Sequence, residues 1–229
     1  MKNSETGMNC AETKIQLIKD ILDNDCHDLK NNKSKDFFDG EISREEMERE
    51  VMNLGTFASL ALPSSFFIEQ IEPVFTSNVL ASKCIHIYFI KNQDGISLLF
   101  RFNKDEQNNS DEIGFGAREK LLELKNGRLS DISPQNAKSF IETFKELYQN
   151  QGFGTGETAY TQYITFHYVN ILKNFSGFEP TTRLICGAKP DPVNHKLRLN
   201  LILQIDRGYC NNPQTQEKTA FFNIGNMQP

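Results

Sequence analysis

A glycine-rich segment is the part of this sequence best suited to binding a small charged ligand. Gly152, Gly154 and Gly156 alternate with other residues, and Glu157 follows directly. Glycine lets a backbone approach a ligand closely, and unpaired amides at the start of a helix attract phosphate or carboxylate groups. We therefore predict an anion or ligand site at this loop, with a helix beginning after it.

Two further residues are candidate polar groups for the same cleft. His167 lies on the aromatic stripe that follows the loop, and Arg183 comes shortly afterwards. The segment does not match a dinucleotide-binding fingerprint, because the residues before Gly152 have a helical pattern rather than that of a strand. A flexible connector between two helices is the competing interpretation of residues 152–156.

Catalytic and metal-binding motifs are not found in the sequence. The four histidines are far apart, and the five cysteines form neither a CxxC pair nor an even disulfide framework. No GxSxG or SxxK nucleophile motif is present. We predict no metal site and no cofactor, assign no catalytic residue, and leave open whether the chain is an enzyme.

Charge and hydropathy limit the partners that we expect. The 229 residues carry a net charge of −5, and residues 1–60 alone contain 8 basic and 13 acidic side chains. Nucleic-acid binding needs clustered Lys and Arg, so it is not expected. No stretch approaches the roughly 20 apolar residues of a membrane span, and Met1–Asn9 is polar, so we expect no membrane partner and a cytoplasmic location.

Three amphipathic patterns predict helices with identifiable ends. Residues 11–29 carry apolar side chains at three- and four-residue spacings. A second helix begins after Ser43, with Glu46 completing a capping box, and is expected to stop at Pro63. A third begins after Ser133, which precedes a proline in the first helical turn.

Two further segments are less clearly helical. We predict a short helix that opens at Gly114-Phe115-Gly116, runs through Leu124 and is closed by Asn126-Gly127. Residues 157–175 have apolar residues at helical spacing, but many of them are β-branched or aromatic, which favours a strand. Their length favours a helix, and the strand remains the alternative.

Strands are predicted in the middle and at the end of the chain. Cys84–Ile90 and Ile96–Phe102 flank an Asp-Gly turn, which is typical of an antiparallel hairpin with one buried and one wetter face. The C-terminal strands are expected at residues 182–187, 196–206 and 219–224, where the middle one alternates leucine or isoleucine with polar residues.

These elements predict an α+β fold. We expect an antiparallel sheet of about five strands, formed by the central hairpin and a C-terminal meander, packed on helices. Residues 1–62 would form an N-terminal helical segment and residues 63–229 the main domain.

The leading functional hypothesis is a noncatalytic binding or assembly module. It is motivated by the nearly all-apolar segment Leu54–Ile68, which could form a contact with a second copy or with another protein. The alternative is a small-molecule-binding protein or an enzyme that uses the loop 152–156 with Glu157, His167 and Arg183.

Overall fold

The protein is described by a computed structural model that covers residues 41–69, 84–103, 119–167, 181–206, 219–223 and 225–228. The helices are α1 (Arg44–Asn53), a 3-10 helix (Leu54–Leu60) and α2 (Pro134–Asn150). The strands are β1 (Glu41–Ile42), β2 (Ser65–Glu69), β3 (Cys84–Asn92), β4 (Gly95–Asn103), β5 (Lys120–Lys125), β6 (Arg128–Asp131), β7 (Tyr163–His167), β8 (Thr181–Pro190), β9 (Leu197–Asp206), β10 (Thr219–Phe222) and β11 (Gly225–Gln228).

The strands form two antiparallel sheets. Sheet A has the order β1-β10-β9-β8-β2, and sheet B has the order β11-β7-β3-β4-β5-β6. The hairpin of β3 and β4 lies at the centre of sheet B, whereas the C-terminal strands β8, β9 and β10 lie side by side in sheet A. Each sheet therefore contains one of the two strand groups that the sequence predicts.

The main hydrophobic core lies between the sheets. Alternating positions of β8 and β9 contribute from sheet A, and alternating positions of β3, β4 and β5 contribute from sheet B. The residues that these strands contribute to this core are Leu184, Cys186, Ala188, Leu199, Leu201, Leu203, Ile85, Ile87, Phe89, Leu98, Phe100, Phe102, Leu122 and Leu124. The arrangement is a sandwich of two sheets.

Helices cover the outer faces of both sheets. Helix α1 lies over sheet A at Gly187, where an added Cβ would be 3.1 Å from the Cβ of Glu50, so the close approach requires glycine. The first half of α2 packs on sheet B through Ala137 and Ile141. Its second half reaches the core between the sheets, where Phe144 stacks on the ring of Phe89 with 5.6 Å between ring centroids.

The two outermost strands on one side of the sandwich are joined. The backbone amide of Glu69, at the end of β2, donates to the carbonyl of Gly127 at 2.6 Å. Its carboxylate also pairs with the guanidinium of Arg128, the first residue of β6, at 3.2 Å. These two contacts connect the edge of sheet A to the edge of sheet B.

The α+β prediction is confirmed, but the expected single sheet is wrong. The central hairpin and the C-terminal strands belong to different sheets. Both faces of each sheet carry buried side chains. Two packed sheets cover this amount of apolar surface, whereas a single sheet would leave part of it exposed. The outer face of the hairpin was expected to be wet. It instead buries His86, Tyr88, Leu99 and Arg101.

Two segments predicted as helices contain strands where the structure describes them, and residues 104–118 and 168–175 lie outside the described residues. The segment before Asn126-Gly127 is β5, and both turn residues have positive φ, 50° and 79°, as a two-residue hairpin turn requires. Residues 163–167 form β7, whose β-branched and aromatic residues pair with β3. Helices after Ser43 and Ser133 are confirmed, although α1 gives way to the 3-10 helix before Pro63.

Two expectations about the N-terminal part have different outcomes. The predicted helix 11–29 lies outside the described residues, and the division at residue 62 remains a prediction. The apolar segment Leu54–Ile68 buries Phe57, Leu60, Phe66 and Ile68 in the chain's own core. Its hydrophobicity is thereby explained without a subunit contact.

Candidate functional site

Two loops lie side by side at one end of the sandwich, and we call residues 151–158 and 191–196 together the loop end. The carbonyl of Glu157 accepts from the amide of Leu197 at 2.8 Å. The carbonyl of Leu197 in turn accepts from the amide of Ala159 at 2.9 Å. These bonds fix the glycine-rich loop against the start of β9.

The glycine-rich loop follows the C-terminus of α2 and is ordered by its own contacts. Gly152, Gly154 and Gly156 have φ values of 81°, 89° and 61°, which side chains other than glycine rarely adopt. The amide of Gly154 donates to Oγ1 of Thr158 at 3.0 Å. Phe153 anchors the loop by packing against Tyr148, with 5.3 Å between the ring centroids.

An anion site at the glycine-rich loop is not supported by a helix dipole. No helix begins at the loop in the described part of the chain. The loop instead adjoins the C-terminus of α2, where the helix dipole favours cations. Ligand binding by Gly152, Gly154, Gly156 and Glu157 remains a prediction. The dipole of a following helix no longer supports it.

The second loop is a turn organised by Asp191. Its Oδ1 accepts from the amides of Val193 at 2.8 Å and Asn194 at 3.1 Å. These two bonds, with a contribution from Arg198, lower the pKa of the Asp191 carboxyl. Val193 at the tip is 87% exposed. The neighbouring His195 has a φ of 57°.

Arg198 joins the two loops. Its Nε donates to Oδ2 of Asp191 at 2.5 Å, and its Nη1 donates to the carbonyl of Tyr160, just beyond the glycine-rich loop. The side chain is 6% exposed. The alternation of leucine and polar residues in β9 puts Arg198 on the polar face of the strand, and it gives no sign of this burial.

The candidate residues predicted from sequence do not all come together. Gly152, Gly154, Gly156 and Glu157 share the loop end, and Glu157 is exposed. Arg183 lies seven residues before Pro190, the end of β8 that pairs with Leu197, which corresponds to about 23 Å along the strand. Its guanidinium lies 4.4 Å from the ring centroid of Phe67.

His167 also lies away from the glycine-rich loop. It is the last residue of β7, where its backbone is opposite Cys84. Thr161, whose hydroxyl donates to the carbonyl of Leu199, marks the beginning of the segment near the loop end. His167 is six positions along the chain from Thr161, which corresponds to about 20 Å in an extended segment.

A second polar group lies on the outer face of sheet B. We call His86, Tyr88, Arg101, Glu119, Tyr163 and Thr165 the Arg101 cluster. Nε and Nη2 of Arg101 donate to the two carboxylate oxygens of Glu119 at 2.9 and 2.7 Å. Nη1 of Arg101 donates to the hydroxyl of Tyr88 at 3.2 Å. Such a two-pronged ion pair fixes both side chains.

The pKa values of Tyr88 and Arg101, two groups of the Arg101 cluster, are both raised. Burial raises the pKa of Tyr88 to about 12, so its hydroxyl stays protonated at neutral pH. Burial opposes the charge on Arg101, but the bonds to Glu119 and Tyr88 outweigh it and raise the pKa of the guanidinium. His86 Nδ1 shares a hydrogen bond with Oγ1 of Thr165 at 2.9 Å. The cluster thus forms a polar layer on the outer face of sheet B, in which the rings of His86 and Tyr88 both contact the ring of Tyr163.

Comparisons with known proteins add no functional assignment. No family model, curated protein or solved structure matches this chain. Within the described ranges, no three His, Cys, Asp or Glu residues are grouped as a metal ion would need. Neither α-helix that the structure describes is long and apolar enough to cross a membrane.

Proposed function

We propose that the chain is a noncatalytic module that binds a protein partner, either a second copy or another protein, through the loop end. The observation that carries the proposal is the exposed Val193, held at the tip of a turn whose backbone is fixed by Asp191 and Arg198. Loops held by a rigid scaffold commonly carry binding residues. A preorganised apolar tip loses little conformational entropy when a partner covers it.

The buried charged pairs support a binding role over a catalytic one. Arg101 forms an ion pair with Glu119, and Arg198 forms an ion pair with Asp191. Each guanidinium is therefore already bound by a carboxylate of the protein. A catalytic base or nucleophile usually has a pKa shifted toward neutrality. Tyr88 is shifted away from it. The cytoplasmic location expected from the sequence remains a prediction.

Native mass spectrometry with two matched variants tests the proposal. Val193→Asp places a charge at the loop end, and Met52→Asp places one at an equally apolar side chain that is 79% exposed on α1. We expect the wild type, purified under mild conditions, to carry a second copy or a partner protein. That species should be lost in Val193→Asp and kept in Met52→Asp. A monomer without added mass, or equal loss in both variants, would contradict the proposal.

Small-molecule binding at the same loop is the second candidate. A Cβ added at Gly152 or Gly156 would meet no atom within 4 Å, so a ligand has direct access to this part of the backbone. The same spectra discriminate between the candidates. A defined small mass carried through purification, unaffected by Val193→Asp, would support ligand binding.

A further inference from the structure

Four polar side chains meet where α1 lies on sheet A, and we call Glu50, Lys189, Asn200 and Asn223 the amide cluster. Nζ of Lys189 donates to Oδ1 of Asn223 at 2.7 Å. Nδ2 of Asn223 donates to Oε1 of Glu50 at 2.6 Å. The side-chain amide of Asn223 is therefore held between an amine at its oxygen and a carboxylate at its nitrogen.

The sheet holds the lysine and the amide within reach of each other. Lys189 lies in β8, Asn223 directly follows β10, and β9 runs between these two strands. A carbonyl bond is about 1.2 Å long, so Nζ of Lys189 lies within about 4 Å of Cγ of Asn223. Groups held this close and aligned react far faster than the same groups free in solution. A rotation about the bonds of the lysine side chain closes the remaining distance.

The amide of Asn200 points its donor end at the oxygen of Asn223. Its Nδ2 donates to Oδ1 of Asn223 and to Oε2 of Glu50, both at 2.9 Å. Asn200 is 0% exposed, and its own Oδ1 accepts no hydrogen bond within the described ranges. The reverse orientation would set this oxygen against two others, so the donor end faces the cluster. A buried donor at a carbonyl oxygen stabilises the negative charge that develops there during nucleophilic attack.

Burial favours the uncharged forms of the lysine and of the carboxyl group. It lowers the pKa of Lys189, and the charge of Glu50 only partly opposes that shift. It also raises the pKa of Glu50, against the hydrogen bond from Asn200 and the charge of Lys189. An uncharged amine is the nucleophilic form of lysine, and a protonated carboxyl group is a general acid.

We propose that Lys189 and Asn223 form an isopeptide bond within the folded chain, with Glu50 as the proton carrier and Asn200 as the donor to the oxyanion. The product is a secondary amide between Nζ of Lys189 and Cγ of Asn223, and one ammonia is lost. The bond joins β8 covalently to the residue that follows β10, across β9.

The reaction needs no oxidant, reductant or second substrate. Lys189 passes a proton to Glu50, and the electron pair freed on Nζ forms the new bond to Cγ of Asn223. The carbonyl electrons move to Oδ1, to which Nδ2 of Asn200 donates. Glu50 then protonates Nδ2 of Asn223, which leaves as ammonia when the carbonyl bond re-forms. Glu50 takes up one further proton from Nζ, which keeps the last of its three.

A purely structural role for these residues leads to a different expectation. Fastening α1 to sheet A uses the bonds from Asn200 and Asn223 to Glu50, and Lys189 then stays a free amine. In the described part of the chain, the hydrogen bond of Lys189 goes to the amide oxygen of Asn223 and not to the carboxylate of Glu50. This position suits attack on Cγ, and the mass of the chain distinguishes the two roles.

Mass spectrometry of the full-length wild type is the first test, and it depends on no variant. In protein kept folded at neutral pH, we expect an intact mass lower than that of the sequence by about 17 Da, which is one ammonia. Digestion with trypsin should release residues 184–196 joined to the peptide that begins at Thr219. Tandem spectra should place the bond at Lys189 and Asn223.

Variants test the role of each group. Lys189→Arg and Asn223→Ala remove the nucleophile and the electrophile, so both should keep the full mass. Glu50→Gln keeps the shape of the side chain without a transferable proton, so the loss of ammonia should be at least about 100-fold slower. Asn53→Ala is the control, because Asn53 also holds α1 to sheet A, through the carbonyl of Ala188. It should lose as much mass as the wild type.

Two results would overturn the proposal. One is a wild-type mass equal to that of the sequence, in which case Glu50 only fastens α1 to the sheet. The other is a loss of ammonia without the joined peptides, which is the signature of a cyclic imide at an asparagine. The partner-binding proposal for the loop end concerns other residues and would be unaffected.

Discussion

The two α-helices begin alike but are held to the protein by different forces. Ser43 caps α1 and Ser133 caps α2, each by accepting a backbone amide three residues on. Helix α2 then buries four side chains, Ala137, Ile141, Phe144 and Tyr148, whereas α1 buries none. Similar local signals thus produce one helix that belongs to the core and one that lies on the surface.

The contrast shows that the formation of a helix and its attachment to the sheet are stabilised separately. Apolar burial is lost only when the surrounding core opens, so α2 should unfold with the whole protein. The hydrogen bonds that hold α1 can exchange for bonds to water or to a ligand with little change elsewhere. We therefore expect changes in α2 to alter global stability, and changes in α1 to alter mainly local opening.

The largest effect is expected from Phe144→Ala in α2. It removes a ring that is 1% exposed and stacked on Phe89, so the free energy of unfolding should fall by about 3–5 kcal/mol. Urea denaturation measures the loss. Val51→Ala in α1, where the side chain is only half-buried, should cost about 1 kcal/mol or less. Equal losses would contradict the contrast between the helices.

A smaller but substantial loss is expected when the buried ion pair beneath α2 is broken. Glu119→Gln keeps the shape of the side chain but leaves the charge of Arg101 without its counter-ion, which should cost about 2–3 kcal/mol in urea denaturation. Glu146→Gln is the control, because Glu146 is exposed on α2. A loss below that of the control would show that the Arg101–Glu119 pair contributes little.

Removal of the caps should distinguish global from local stability. Ser133→Ala should lower the free energy of unfolding by about 1 kcal/mol. Ser43→Ala should change it by less than about 0.5 kcal/mol while increasing hydrogen exchange in α1, because α1 can open without the core. If Ser43→Ala destabilises the whole protein as much as Ser133→Ala, α1 is coupled to the core after all.

The smallest effect is a pH dependence confined to α1. The pKa of Glu50 is raised in the folded protein, mainly by burial, so folding favours its protonated form. Its contribution to docking is therefore present at low pH and is lost as the pH rises through the folded-state pKa. As the pH rises above 4.5, the ordinary pKa of a glutamate carboxyl, exchange of α1 amides, corrected for the intrinsic rate, should increase relative to α2.

Glu50→Gln is the control for this pH effect. Its α1 amides should show no carboxyl-dependent change, because the titrating group has been removed. Protection of α1 that is constant or increases with pH in the wild type would contradict a raised pKa of Glu50 in the folded protein.

Local signals were sufficient to predict several elements. The capping box at Ser43 and Glu46, the Ser133 cap and the Asp-Gly turn at 94–95 each specify an element within a few residues. The alternation of Leu199, Leu201 and Leu203 identified the inner face of β9. These patterns depend on neighbours in the sequence, and they hold in the folded protein.

Other parts of the fold depend on contacts that the sequence does not show. Leu121, Leu122 and Leu124 are all buried because both faces of β5 are covered, which erases the alternation expected of a strand. The Asn126-Gly127 turn was the better signal there. For residues 163–167, pairing with β3 decided in favour of a strand over the helical spacing.

The sequence identified one part of the candidate sites and missed the rest. The glycine-rich loop was visible because three glycines within five residues are unusual. The contacts of Glu50 with sheet A could not be found in this way. Glu50 is 150 residues from Asn200 and 173 residues from Asn223, and isolated asparagines carry no motif. Only sheet pairing and the docking of α1 bring these side chains together.

The contact between β2 and β6 has a consequence for how the protein behaves at high concentration. Exposed strand edges recruit other chains and begin aggregates, and proteins guard against this with charges or coverings. Here the amide of Glu69 is already bonded to Gly127, and Arg128 neutralises the adjacent carboxylate. The junction between the sheets thus removes one free backbone amide from the edge of sheet A and adds charges beside it, both of which oppose pairing with a foreign strand at this point.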